Sequence, residues 1–315
     1  MRAVFCGTPE FAVPTLEAVV DAGHDVQLVV TQPDRASGRG LELSLPPVKR
    51  KALELGLPVT QPEKIKNNAE FQAQLAAIAP DVILVVAYGR IIPQWMLDMP
   101  KHGDLNLHAS LLPKYRGAAP IQWAVAKGER VTGNTTMRID AGLDTGDILL
   151  QSEVPIGPEQ TAQELFPILA ADGAQLMVET LRQLAAGTVI PRKQNDAQAT
   201  LAPILTRDAG RIDFTQSAQT IFNRWRGFQP WPGAHTMFRE KKFIVHAMEV
   251  ATAVKGLAVG EMMVREQALY VGCANDTALR LDEVQLEGKK RILVGEFLRG
   301  YKIETGERLG SWLGS

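Results

Sequence analysis

The sequence predicts an α/β protein in which a mostly parallel sheet covered by helices is followed by a small β-barrel. Three observations carry this. β-branched runs alternate with helical patterns through residues 1–189. The run Asp81–Ala87, DVILVVA, is nearly all apolar, as a central parallel strand covered on both faces requires. Beyond residue 206 the chain turns mostly to short alternating runs separated by turn residues, the pattern of a small barrel.

Taken in order, Ala3–Cys6 reads as a buried strand, Gly7-Thr8-Pro9 as a turn and Pro14–Ala22 as a helix. Asp25–Thr31, with Val26, Leu28, Val29 and Val30, is a second strand. Pro46–Leu55 is a helix with two prolines at its start, where a missing N–H costs least. Glu70–Ala79 is helical, and Asp104–His108 is the strand after Asp81–Ala87. Pro120–Lys127 is helical, Asn134–Ile139 and Asp147–Val154 are strand-like, and Thr161–Ala186 is a long helix ended by Gly187. Alternation of this kind implies a parallel sheet. Pro191, Pro203 and the polar residues around them mark 190–206 as a linker. After it come a helix at Ala218–Trp225 and strands at Lys242–Ala251, Gly260–Arg265, Ala268–Cys273 and Thr277–Val284. The expected domains are 1–189 and 207–315.

The length of 315 residues suits two domains of roughly 100–200 residues. With 45% hydrophobic and 22% charged residues, the composition excludes a disordered, collagen-like or coiled-coil chain. The 2 cysteines, Cys6 and Cys273, cannot build a disulfide framework or a cysteine zinc site. No two of the 5 histidines have HExxH spacing, which excludes a zincin-type hydrolase. The N-terminal stretch lacks the apolar run of a signal peptide. The strongly apolar stretch Val82–Ala87 falls far short of the ~20 residues of a membrane helix. A cytoplasmic protein without a membrane segment is expected. The net charge of −1 argues at face value against a nucleic-acid partner. However, residues 1–190 hold 16 basic and 21 acidic side chains, whereas 191–315 hold 18 and 14. The C-terminal part is therefore basic, as a face that follows a nucleic-acid backbone would be.

Five segments could carry chemistry. Ser110-Leu111-Leu112-Pro113 is either a buried loop or one wall of a flat apolar ligand pocket with backbone groups available for hydrogen bonds. Gly7-Thr8-Pro9 permits a tight strand-to-helix turn, but it is not GxGxxG, so a dinucleotide is not indicated. Asn106 and His108 lie on one side of a strand end, where parallel sheets place ligands. They could be two donors for an oxyanion, or His108 could simply be satisfied by a backbone carbonyl. The stretch Asp140–Asp147 has three aspartates and two glycines without EF-hand spacing. It is either a glycine-rich turn closed by aspartate side chains or a holder for a carboxylate beside His108. Thr31–Pro46 exceeds the ~12 residues of an ordinary loop and contains Arg35 and Arg39 among glycines, suiting either an anionic ligand or a solvated surface.

Together these segments resemble the formyltetrahydrofolate-dependent formyltransferases. The carriers are Gly7–Ala12, Thr31–Arg35, Val86–Gly89, Asn106–Pro113, Arg116–Ile121 and Gly142–Asp147, and beyond them Gly210–Asp213, Asn223 and Pro230–Gly233. The TQPDR and GRG segments and the C-terminal GRID and PWPG segments favour the family's tRNA-modifying branch. The resemblance implies a Rossmann-like domain followed by an OB-like barrel domain. It implies 10-formyltetrahydrofolate as cosubstrate and formyl donor, no metal, and the methionine amine of initiator methionyl-tRNA as acceptor. By similarity, Asn106, His108 and Asp144 match the catalytic residues. Ser110, Leu111, Leu112, Pro113, Tyr88, Gly89, Ile139 and Asp140 match the folate-binding positions, and Arg39 and Arg35 those that meet tRNA. The sequence departs from the family at Leu41 and Glu42, where basic residues are frequent, and at Ala109, where glycine is usual. A relative that formylates a small amino sugar or nucleotide, and a non-catalytic RNA-binding protein of the same fold, are the alternative readings. The intact Asn106, His108 and Asp144 speak against the second of these.

Overall fold

The computed structural model describes residues 1–37 and 42–310, with only the backbone described at 36, 37, 42 and 43. The chain divides into two compact units. The first comprises Met1–Pro120, Val131–Ile156 and Glu164–Pro203; the second comprises Ile121–Arg130, Gly157–Gln163 and the chain from Ile204 on.

The first unit is built on a seven-stranded sheet. Its strands are β1 (Arg2–Gly7), β2 (Asp25–Val30), β5 (Val59–Thr60), β6 (Val82–Val86), β7 (Asp104–His108), β8 (Val131–Arg138) and β9 (Ile148–Pro155). Two further strands, β3 (Arg35–Ser37) and β4 (Glu42–Ser44), form a separate antiparallel ribbon. The sheet order is β5-β2-β1-β6-β7-β8-β9. Pairing is parallel from β5 to β7 and antiparallel from β7 to β9, so the sheet is mostly parallel as expected. β1 and β6 are buried over nearly their whole length, which explains their apolar runs.

The helices of this unit are α1 (Val13–Asp21), α2 (Pro47–Glu54), α3 (Ala69–Ile78), α4 (Gln94–Leu97) and most of α6 (Ala162–Ala186); α5 (Pro120–Ala126) lies almost entirely in the second unit. α2 starts on Pro47, whose missing N–H falls where helices have no intrahelical acceptor. Asn68 caps α3 by accepting the Phe71 amide at 3.0 Å. α6 lies close against the sheet at Gly173, where a Cβ would come within 2.7 Å of Leu107 and 3.2 Å of Asn134.

The second unit holds an antiparallel sheet of β10 (Ala234–Phe238), β11 (Lys241–Val250), β12 (Met262–Arg265), β13 (Ala268–Cys273), β14 (Thr277–Leu286) and β15 (Ile292–Leu293). The order is β10-β11-β14-β13-β12, with β15 on β14. The alternating burial of β11 and β14 accounts for their period-two sequence. α7 (Ala218–Gly227) and α8 (Val294–Gly300) complete the unit. Its core centres on Phe238, Phe243 and Phe297, with ring centroids 5.2–5.8 Å apart. Among the described residues no helix is long and apolar enough to cross a membrane.

Candidate active site

The crevice that a doubly wound sheet offers to ligands lies outside the carboxyl ends of its strands, where the order reverses. Here the reversal falls at β1, whose neighbours are β2 on one side and β6 on the other. Gly7 ends β1, the turn Ala87-Tyr88-Gly89 follows β6, and His108 ends β7. The chain folds this way locally because close contacts and turns are built in. A Cβ on Gly7 would come within 2.8 Å of Phe5 and 3.1 Å of the Val86 carbonyl oxygen. Gly89 takes φ +76, which suits glycine.

His108 is buried, with 6% exposure. Its Nε2–H donates to the Tyr115 carbonyl at 2.9 Å, and its Nδ1 faces Oδ2 of Asp144 at 3.6 Å. Both readings of this histidine therefore apply: one nitrogen is satisfied by backbone, and the other is turned to a carboxylate. Asn106 is half-buried on the same strand, two residues earlier and so on the same side. Asp144 reaches the site from the loop before β9. Its Oδ2 accepts the Gly117 amide at 2.8 Å, and its backbone takes φ +52, a left-handed conformation that aspartate tolerates better than most residues. The loop is closed from within by Asp140, whose Oδ1 accepts the Gly142 amide at 3.0 Å and the Thr145 hydroxyl at 2.7 Å. The aspartate-capped turn and the carboxylate beside His108 are thus both present.

The other positions read from the sequence lie as follows. The Ser110 hydroxyl is fully buried and donates to the Lys114 carbonyl at 2.7 Å, closing the turn that carries Leu111, Leu112 and Pro113. The Leu112 amide donates to the Thr135 hydroxyl at 3.2 Å, and its side chain packs on Met137 and Ile148. Leu111 and Pro113 are half-buried. Tyr88 is buried, and its carbonyl accepts from Gln32 Nε2 at 2.9 Å and Thr8 Oγ1 at 3.2 Å. Burial pushes the Tyr88 phenol above its ordinary value. Gly89 is exposed. Ile139 donates its amide to the Asp104 carbonyl at 2.9 Å and packs on the core beneath the crevice. Arg35 is exposed on the ribbon and donates to Gln32 Oε1 at 3.1 Å. Arg39 and Leu41 lie outside the described residues. Lys49 and Gln61 hold Asp34 at the ribbon's base, with Nζ–Oδ2 2.6 Å and Nε2–Oδ1 2.7 Å.

No group of three or more His, Cys, Asp or Glu side chains among the described residues is arranged to hold a metal ion. In the second unit Gly210–Asp213 and Gly233 line a cavity with Arg224 and Trp225.

Comparison with known proteins agrees with this architecture. Residues 1–181 match the formyl transferase family and residues 204–302 its C-terminal domain. Methionyl-tRNA formyltransferase of Acidobacterium capsulatum is 65% identical over 99% of this chain and 100% of its own. That of Koribacter versatilis is 61% identical over 98% and 99%. The chain belongs to the methionyl-tRNA formyltransferase family. As a formyltransferase of this family it shares its fold with a sugar 3-N-formyltransferase, WlaRD, at TM-score 0.67 and 18% identity, covering 92% of this chain and 99% of that one. It shares it also with the N-formyltransferase of Helicobacter canadensis, at TM-score 0.66 and 19% identity over 89% and 98%.

Several residues of this formyltransferase's site escaped the sequence reading. The Tyr115 carbonyl and the Gly117 amide are backbone groups, which no side-chain pattern reveals. Gln194 comes from the segment read as a linker. It donates through Nε2 to the carbonyls of Asp144 and Gly146, each at 2.8 Å, and its Oε1 accepts from Nε and Nη2 of Arg116 at 3.0 and 2.7 Å. The only hint was the placement of Arg116-Gly117 just after the leucine-rich turn.

Proposed function

We propose that the chain transfers the formyl group of 10-formyltetrahydrofolate to the α-amine of methionine on initiator tRNA, with Asn106, His108 and Asp144 as the catalytic groups. The observation that supports this assignment is the meeting of His108 Nδ1 and Asp144 Oδ2 at the end of β7. The neutral amine attacks the formyl carbon. The carbonyl electron pair moves to oxygen, and the resulting oxyanion takes hydrogen bonds from the Asn106 amide and from His108. With Nε2–H engaged by Tyr115, the donor that His108 can offer the oxyanion is on Nδ1, the side of the ring that faces Asp144. The amine then loses a proton, N10 gains one, and the C–N10 bond breaks to release tetrahydrofolate and formylmethionyl-tRNA. Asp144 and His108 together can hold the water that relays this proton. No covalent enzyme intermediate enters.

The folate lies along Tyr88-Gly89, Ser110–Pro113, Ile139 and Asp140 in this reading. For Ser110 and Asp140, whose side chains are engaged within their own turns, the contact is through backbone or through turn shape. Arg35 and Arg39 meet the acceptor stem, and the basic C-terminal part follows the tRNA backbone. The protein works as a cytoplasmic monomer, and the domains act as a catalytic 1–189, a connecting 190–206 and a tRNA-binding 207–315. The test is incubation with 10-formyltetrahydrofolate and methionylated initiator or elongator tRNA. Formylmethionine recovered from initiator tRNA alone is the expected result, and formylation of a free small amine in preference to tRNA overturns the reading.

A further inference from the structure

We propose that Gln194, oriented by Arg116, is a positioning residue for Asp144, and that the polar segment 192–202 is the clasp that fixes the catalytic geometry. This rests on the catalytic reading of Asp144 given above.

Asp144 sits on strained backbone in a turn that leaves little room. A Cβ on Gly146 would come within 1.9 Å of the Arg138 carbonyl oxygen. Such a turn keeps one conformation only if its surroundings over-determine it. Gln194 supplies that constraint, because one amide group donates to the carbonyls of both Asp144 and Gly146. A side-chain amide has two N–H donors and one carbonyl oxygen. Here both donors face the turn and the oxygen faces Arg116, so its orientation is determined. The Arg116 guanidinium is buried, at 7% exposure, and its Nη2 also pairs with Asp196 at 2.7 Å.

The same clasp holds the other side of the site. The Arg116 amide donates to the Thr200 carbonyl at 2.8 Å, the Ala202 amide to the Arg116 carbonyl at 2.7 Å, and the Tyr115 amide to the Thr200 hydroxyl at 2.9 Å. Tyr115 and Gly117 are the residues that hold His108 and the Asp144 carboxylate. Segment 192–202 therefore grips both loops whose separation sets the distance between His108 and Asp144. A small displacement of either loop changes a reacting geometry on which rate depends steeply.

The test compares Gln194→Met and Gln194→Ala, each made in the wild-type and in the Asp144→Ala background. Methionine keeps the length of the side chain and removes its hydrogen bonds. In the wild-type background we expect kcat to fall about 10-fold or more, with KM for 10-formyltetrahydrofolate changed less than about 3-fold, as for a loss felt in the transition state. In the Asp144→Ala background the same substitutions cost less than about 2-fold, because groups acting as one unit are not additive. Equal losses in both backgrounds, or a loss in KM alone, overturn the inference while leaving Asp144 in place. An Asp144→Ala enzyme with unchanged kcat overturns the catalytic reading itself, and the positioning role with it.

Discussion

The Nδ1 of His108 faces the Oδ2 of Asp144 across 3.6 Å, and the same short loop holds the opposite nitrogen of the ring and that same carboxylate oxygen. Tyr115 accepts from the imidazole, and Gly117 donates to the carboxylate. The separation exceeds a direct hydrogen bond. Long contacts of this kind are common between catalytic groups in the absence of substrate.

In the mechanism proposed above, His108→Ala and Asn106→Ala each remove one donor to the oxyanion. The expected loss is about 10²–10³ in kcat, the usual cost of one such donor. Folate affinity, read by equilibrium fluorescence titration, changes little. A loss confined to folate affinity contradicts the catalytic assignment.

Gly117 should tolerate no side chain. Its φ of +118 is foreign to L-residues, and a Cβ would come within 2.8 Å of the Ala202 carbonyl oxygen, which is backbone and cannot swing aside. Gly117→Ala is expected to lower stability by about 1–3 kcal/mol. It also draws the amide away from Asp144, so kcat falls in the protein that remains folded. Urea midpoints and single-turnover rates measure the two effects separately. A variant with native stability and rate shows that the loop relaxes freely.

The regular frame was legible because its elements are long and strongly patterned. β6 announces itself by five consecutive buried apolar residues, and β11 and β14 by alternation. The short pieces were not. β5 and β15 have two residues each, and the β3–β4 ribbon has strands of three, lengths at which no period can be read. β10, AHTMF, mixes polar and apolar residues because four of its five are buried whatever their chemistry, with Thr236 fully enclosed. The segment 121–130 looks local to the first half, yet it packs into the second unit; long-range contact leaves no mark in a single sequence. At the site, Asn106, His108 and Asp144 were visible as residue types at a strand end and in an aspartate-rich turn. What aligns them, a carbonyl, an amide and Gln194 from a stretch without periodicity, was not.

Asp104 makes stability depend on pH in a direction opposite to most carboxylates. It lies at the start of β7 with 2% exposure, and neither carboxyl oxygen has a hydrogen-bond partner among the described residues. Burial, with a smaller contribution from Asp98, raises its pKa from 3.8 to about 8. The folded state therefore keeps the proton while the unfolded state gives it up above the lower value. Its contribution to stability is complete below pH 3.8 and is lost as pH rises toward about 8. The slope in that window is about 1.4 kcal/mol per pH unit. Asp104→Asn removes this titration. The difference between wild-type and variant unfolding free energies, measured by urea at pH 5 and pH 8, should shift in favour of the variant at the higher pH. A difference independent of pH shows that Asp104 is solvated or paired in the folded protein.

Arg35 and Arg39 should act on tRNA and leave the chemical step unaffected. Arg35 projects from a base that is tied down by Asp34, Lys49 and Gln61, and Arg39 follows it in sequence. A cation that neutralises one phosphate releases about 0.9 counterion on duplex. Arg35→Ala and Arg39→Ala are each expected to raise KM for initiator tRNA and to reduce the slope of log(kcat/KM) against log salt by about one. Arg35→Ala also frees Gln32 Oε1, but the bond from Gln32 Nε2 to the Tyr88 carbonyl remains, so KM for the folate should hold. A salt slope unchanged in both variants removes these arginines from the tRNA contact. A fall in kcat at saturating tRNA would instead connect the ribbon to the folate turn through Gln32, since that amide spans the distance between Arg35 and Tyr88.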